Sequence, residues 1–486
     1  MTRPLEGRYA PTVLTALLAL TPYIVQTSAS ELYRGQVMAA TGLGKDGFQL
    51  TAALATAAYA FGALLGGDLI NRFPQRRLFL TCEAFAAVGW LLAATARSPL
   101  AYEAGEVLSG AMTGLLLVIA LPPIMRQFPA ERVPLTAALV NVALFGGVAA
   151  GPLLGGVVGV LHDWRGLHAA LAAIAVLNLA LAFVTLPDQK AADPGLPLDL
   201  PALLLGLGAT VPPFWAAGAL GARGFGSPLV LSGLAAGAIC LIGLLLTEYH
   251  RKEPLAPVKP MWNTFPIVGV VVATFGGGVF LALTRLALEE LSQARRAPPL
   301  QAGLEFWPQA VGALAAAALL GLVLRTRFLP VLVLGGMGVL SVAAALLAAP
   351  GVFESPPLLL ADMGLLGLGA GATVSPGLFL GGLSLPSQLL GRIVALIELV
   401  RSVGDFIMAP VVLRLAQDQS RADALTVVGV RAAAHLTLGV AVATALVGAA
   451  LWVAGGKLLQ RPDLAAWLGQ KGSALDSPPL LARLRR

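Results

Sequence analysis

The sequence predicts an all-α polytopic membrane protein with fourteen transmembrane helices, and three observations carry that prediction. Of its 486 residues 57% are apolar and only 12% are charged, where soluble domains carry about 25% charged residues. A polar surface that small cannot cover the apolar mass, so most of the surface must face lipid. A helix crossing the hydrocarbon needs about 20 mostly apolar residues, and breaking the chain at charged and Pro/Gly clusters leaves fourteen such segments. With both termini placed in the cytoplasm, twenty of the 32 Lys and Arg fall in the termini and inside loops and ten in outside loops, as the positive-inside rule requires. The composition excludes a secreted enzyme, a nucleic-acid-binding domain and a disordered scaffold. The net charge of +7 reads as topology.

The segments lie at 11–33, 47–70, 78–96, 99–124, 133–161, 165–187, 198–219, 227–249, 262–291, 301–324, 328–349, 355–384, 388–416 and 429–456. Arg3 and Arg8 precede the first, which also holds Ser28-Ala29-Ser30, features shared with a cleaved leader. It reads as a span, because thirteen further spans need an anchor of matching orientation. The second ends at Arg72, Arg76 and Arg77, and the eighth at Arg251 and Lys252; both clusters fall inside. The tail 461–486 mixes Trp467 and Leu468 with Arg483, Arg485 and Arg486, and fits either a helix on the inner leaflet or a solvated tail. Cys82 and Cys240 define neither a disulfide framework nor a zinc site. His162, His168, His250 and His435 lack metal-ligand spacing, and no Gly-x-Ser-x-Gly or His-Glu-x-x-His occurs. No metal, cofactor, nucleic-acid partner or enzymatic chemistry is expected.

The most specific local signal is in the fifth span, where Gly147, Gly151 and Gly155 stand four apart with Pro152 and Gly156 beside them. Glycines at that spacing open a groove for a neighbouring backbone, and the proline removes a donor and bends the helix. The run fits a packing face, and it also resembles the antiporter motif of drug:proton exporters in the major facilitator superfamily, at the position where that family carries it. After the second span, Gly67, Asp68, Asn71, Arg72, Arg76 and Arg77 resemble the superfamily's cytoplasmic gate, with Asn71 where the family has Asp and Pro74 where it has Gly. Arg325 and Arg327 occupy the corresponding place after the tenth span, the weak internal symmetry of repeated transporter halves. The resemblance, to the fourteen-helix branch, implies the major facilitator fold. Residues 1–187 would form an N-terminal six-helix half and 188–260 an inserted helix pair with its linkers. Residues 261–460 would form the C-terminal half and 461–486 a cytoplasmic tail.

A charged group at mid-membrane costs at least about 2.5–3.5 kcal/mol, which makes each one a candidate for function. Glu398, Arg401 and Asp405 fall on one face of the thirteenth span, suited either to a cavity wall or to a self-neutralising ion pair. Asp362 and Glu305 fit a water-filled vestibule as well as a proton site. Arg285 and Glu289 are four apart and can pair along their helix, and Glu31 and Arg34 read as a pair at the rim. Glu83 is expected to pair with the nearby Arg cluster. Asn141 suits either the cavity or a helix–helix hydrogen bond. Glu106 stands where the resemblance implies Arg, while Thr21 and Gln26 stand where it implies Asp and Asn.

By resemblance, two halves rocking around a central cavity would exchange a small amphipathic or cationic substrate for protons across the cell membrane. Glu106 or Glu398 would hold either a proton or the cation. The runner-up readings are lipid or amphiphile export with weak or no proton coupling, and a non-transporting membrane sensor.

Overall fold

A computed structural model describes residues 4–188, 190–191, 193–195, 197–252, 254–420, 426–456 and 459–483. Arg3, Arg485 and Arg486 lie outside the described residues. Every predicted apolar segment overlaps a long helix. These are α1 Tyr9–Leu32, α2 Lys45–Arg72, α3 Gln75–Ala94, α4 Pro99–Arg126, α5 Ala130–Leu161, α6 Trp164–Thr185, α7 Leu200–Arg223, α8 Pro228–His250, α9 Thr264–Ser292, α10 Pro299–Val323, α11 Leu329–Ala348, α12 Pro356–Leu383, α13 Leu390–Ser420 and α14 Val427–Gly455. Among the described residues 13 of them are long and apolar enough to cross a membrane. The exception is α13, whose 31 residues include Arg392, Glu398, Arg401, Asp405, Arg414 and Asp418. It packs against α2, α7, α9 and α14.

Local chemistry sets many of the ends. Ser98 accepts from the Ala101 N–H ahead of Pro99, Asp163 from Gly166 and Thr426 from Gly429, satisfying donors that a helix start leaves free. Inside α5 a π-helical turn, Val142–Gly146, separates Asn141 from the glycine run. Such a turn carries an additional residue and rotates the face that follows it, so Asn141 and the glycines meet different neighbours.

The same helix pairings recur in α1–α6 and in α9–α14: α2 packs on α4 as α10 packs on α12, and α3 on α6 as α11 on α14. The closest approaches correspond too. A Cβ on Gly114 would stand 1.9 Å from the Tyr59 carbonyl, and one on Gly367 would stand 2.0 Å from that of Gln309. Such backbone proximity is how apolar helices associate in lipid, where hydrophobic burial contributes nothing between them.

The inserted pair behaves asymmetrically. α7 packs on α2 and α13, with Phe214 stacked on Phe406 at 4.8 Å, whereas α8 packs almost wholly on α7. Only 17% of the apolar window of α8 is buried, against 72% of that of α4, so α8 faces lipid.

The tail corrects the expectation of a solvated or leaflet-bound segment. It folds back over the end of the bundle that carries both termini. The Ala474 and Leu475 N–H groups donate to the Leu383 carbonyl at 2.8 and 2.9 Å, and Thr264 N–H donates to Pro478 at 3.0 Å. Trp467, 1% exposed, donates from its indole to the Leu385 carbonyl at 2.9 Å. Unpaired carbonyls where α12 ends provide the acceptors, an attachment no helical periodicity could reveal.

Candidate functional site

A cavity of about 380 Å³ lies among α1, α2, α4, α5, α7, α9, α12 and α13, with Trp467 of the tail at one end and Arg285 near the other. Its most polar wall is on α13. Glu398 and Asp405 are 2% and 3% exposed and both are ion-paired to Arg401, which lies between them in sequence. Tyr59 of α2 donates its hydroxyl to Glu398 at 2.8 Å and stacks on Tyr23 of α1 at 5.6 Å. Two carboxylates share one guanidinium, so the triad carries an excess negative charge when both are ionised.

A second acid faces the cavity from α4. Glu106, 5% exposed, accepts from Gln26 Nε2 at 3.1 Å and lies 2.9 Å from His168 Nε2. Gln26 and Glu106, two positions where the chain departs from the motifs it resembles, therefore touch. Thr21, another such position, donates its hydroxyl to the Leu17 carbonyl one turn earlier. The sequence analysis gave His168 no role beyond its lack of metal-ligand spacing and so missed it. The available signal was periodicity: Trp164, His168, Leu171, Ala175, Asn178, Ala182 and Thr185 recur every three or four residues along one buried face of α6.

Other candidates are redistributed. Arg285 lines the cavity but bonds to Glu31 of α1 at 2.5 Å, while its in-helix pair with Glu289 is longer, at 3.9 Å. Arg34 closes the ring, 2.8 Å from Glu31 and 3.2 Å from Glu289. The rim pair and the helix pair are thus one four-charge network tying α1 to α9. Asn141 does not line the cavity: it is fully buried and donates to the Gly371 carbonyl of α12 at 3.0 Å. Asp362 is also absent from the cavity wall; it is fully buried, and neither carboxylate oxygen has a hydrogen-bond partner among the described residues. Glu305 sits half-buried at the break between the two pieces of α10, away from the cavity. Glu83 accepts from Asn178 Nδ2 at 3.1 Å and forms no ion pair with the Arg cluster among the described residues.

The two glycine motifs meet opposite partners. A Cβ on Gly151 would stand 1.9 Å from Ser28 Oγ, one on Gly155 would stand 2.3 Å from the Ala29 carbonyl, and one on Gly156 would stand 2.6 Å from that of Pro299. The Pro152 carbonyl lies against Gly303, while Gly147 makes ordinary contacts with Thr21, Ile24 and Val25. The fifth-helix run therefore seats both α1 and the start of α10.

At the end bearing the termini, Gly67 abuts Ala395 of α13, with only 2.8 Å for a Cβ. Asp68 is paired with Arg72 at 2.5 Å, and Arg72 also donates to the Pro197 carbonyl. The Asn71 carbonyl accepts from Asp193 N–H, and Arg76 reaches the Phe183 carbonyl and Asp188. Arg77 is exposed. Most of this basic run thus binds α6 and the connector between α6 and α7, while Gly67 presses on α13.

The sequence profile described as Major Facilitator Superfamily matches residues 12–409. The chain belongs to the major facilitator superfamily. This facilitator chain is therefore a member of a family of transporters and not an enzyme. It is 28% identical over 271 residues to the uncharacterized transporter of this type YubD from Bacillus subtilis (strain 168), covering 54% of the chain and 52% of that protein. It is 29% identical over 302 residues to a puromycin resistance protein of Streptomyces alboniger, covering 59% of the chain and 58% of the relative. The chain thus spans about half the length of the curated relatives it matches. The human organic anion transporter MFSD10 superposes with a TM-score of 0.63 at 15% identity, over 91% of this chain and 99% of that one, a likeness of fold.

Proposed function

We propose that the chain is a secondary active transporter that exports amphipathic, cationic small molecules by alternating access, in exchange for protons. The observation that carries this reading is the imbalance of charge around the cavity. Arg401 pairs with two carboxylates, and Glu106 has no Arg or Lys paired with it among the described residues. An enclosed negative wall beside the stacked Tyr23 and Tyr59 rings favours a flat, positively charged guest. Kinship with a protein named for puromycin resistance supports export.

In this reading 1–187 and 261–460 are the moving halves, 188–260 is the inserted pair, and all fourteen helices cross the membrane. The tail and the Gly67 to Arg77 gate face the cytoplasm. The fifth-helix glycines and the Glu31–Arg285 network close the opposite end. A carboxylate that releases its proton inside would take up the cation, and reprotonation from the acidic outer side would release it there. The test is uptake of a hydrophobic cationic dye by proteoliposomes under an imposed pH gradient. Gradient-driven movement in the wild type, weakened in Glu398→Gln, is expected. Movement indifferent to the gradient would overturn proton coupling. It would favour export of a lipid-like amphiphile, a reading that the absence of an acid at Thr21 also supports.

A further inference from the structure

The contacts of His168 determine where its protons can be. Its Nδ1 lies 2.8 Å from the Trp164 carbonyl oxygen, which can only accept, so Nδ1 carries a hydrogen. The ring then has one position left to vary, Nε2, and this faces Glu106 Oε1 at 2.9 Å. If Nε2 were bare and the carboxylate ionised, two lone pairs would confront each other at hydrogen-bond distance. A proton between them removes the conflict, whether it is written on the imidazole or on the acid. Gln26 supplies one more donor to Oε1.

The pair sits in an aromatic cage. The Trp164, Tyr102, Trp90 and Tyr33 rings lie with centroids 5.6, 5.9, 6.0 and 6.4 Å from the imidazole. The titratable groups facing the pair are Tyr23 from α1, Tyr33 just after its end and Tyr102 from α4, with Glu31 farther off and already bonded to Arg34 and Arg285. α3 contributes Trp90 and no ionisable side chain to this cage. No cation other than His168 is paired with Glu106 among the described residues. With the one shared proton the pair is neutral, and without it the pair carries one negative charge. Glu106 lines the cavity, whereas His168 is fully buried and does not. A proton enters and leaves through the carboxylate.

We propose that Glu106 and His168 together form a one-proton site in the N-terminal half, loaded and emptied through the central cavity, and that this site exchanges its proton for the positive charge of the substrate. The proposal rests on the proton-coupled reading above and names the group that carries the proton. His168 acts as a positioning and proton-sharing residue, since it cannot touch a substrate. Gln26 holds the carboxylate toward it.

The test is an infrared pH titration of the purified full-length protein, followed through its carboxylic acid and imidazole bands, beside proteoliposome transport of tetraphenylphosphonium. The wild type should show a carboxyl–imidazole transition that is absent in Glu106→Gln and in His168→Gln, each of nearly unchanged volume. In both variants gradient-driven transport should fall to the rate seen without a gradient. Glu106→Asp, which keeps the acid, should displace the transition without abolishing it, separating loss of a proton site from loss of fold. An unaltered transition in both Gln variants, or gradient-driven transport that survives in both, would overturn the proposal. A transition that depends on both residues, in a wild type that shows no gradient-driven transport, would uphold the site and defeat the transport reading instead.

Discussion

Replacing Arg401 by Met removes the one cation that Glu398 and Asp405 share while keeping most of the side-chain volume. The two acids, 2% and 3% exposed, would then face each other with no compensating charge. The cheapest escape is for one to take up a proton. For a glutamate of ordinary pKa, about 4.3, this costs about 3.7 kcal/mol at pH 7 but only about 1.6 kcal/mol at pH 5.5, at about 1.36 kcal/mol per pH unit. The larger figure agrees with the about 3–5 kcal/mol lost when one partner of a buried ion pair is removed. Glu398→Gln should be milder, about 1.5–3 kcal/mol for a hydrogen bond to a charged group, because Arg401 and Asp405 still balance. The sign with pH follows from linkage: the folded variant binds a proton that the unfolded chain does not, so its stability falls as pH rises. The assay is the fraction of detergent-purified protein that stays monodisperse after graded heating, for wild type and both variants at pH 7 and 5.5. Arg401→Met should be the least stable at pH 7, and its deficit should shrink at pH 5.5. A deficit no larger than that of Glu398→Gln, or one that widens in acid, would refute the shared-guanidinium reading.

Asp362→Leu should raise thermal stability by about 1–3 kcal/mol, because it removes a fully buried carboxylate that has no hydrogen-bond partner among the described residues. The same heating assay checks this, and gradient-driven transport should persist because Asp362 does not line the cavity. Gly155→Ala should destabilise by about 1–3 kcal/mol through overpacking, since its Cβ would stand 2.3 Å from the Ala29 carbonyl oxygen. Gly338→Ala, with nothing within 4 Å, is the matched control. Trp467→Ala should release the tail, seen as faster limited proteolysis within 459–483, because it removes a buried indole and its bond to Leu385. In a double-mutant cycle, Glu31→Gln and Arg285→Met should couple by about 0.5–3 kcal/mol in stability; purely additive effects would mean that the α1–α9 bond contributes nothing.

The positions of the long helices were legible in the sequence, and so was the grouping of Glu398, Arg401 and Asp405 on one face of α13. Lipid offers no partner for a free backbone group, so each crossing segment must satisfy its own hydrogen bonds within about 20 consecutive residues. That constraint is local and leaves its mark in composition. The glycine run was legible for the same reason, since close backbone approach is open only to small side chains. Which charges meet was decided by the tertiary structure. Glu31 finds Arg285 across 254 residues, Tyr59 finds Glu398 across 339, and His168 finds Glu106 across 62. Glu83 turned to Asn178 instead of the adjacent arginines, and Asn141 to the backbone of α12. Sequence alone indicated that most buried charges would need partners, because burying an unpaired charge is costly for any acid or base, Asp362 being the one that has none among the described residues. The choice of partner is a matter of distances between helices that are remote along the chain, and those distances exist only once the helices are packed.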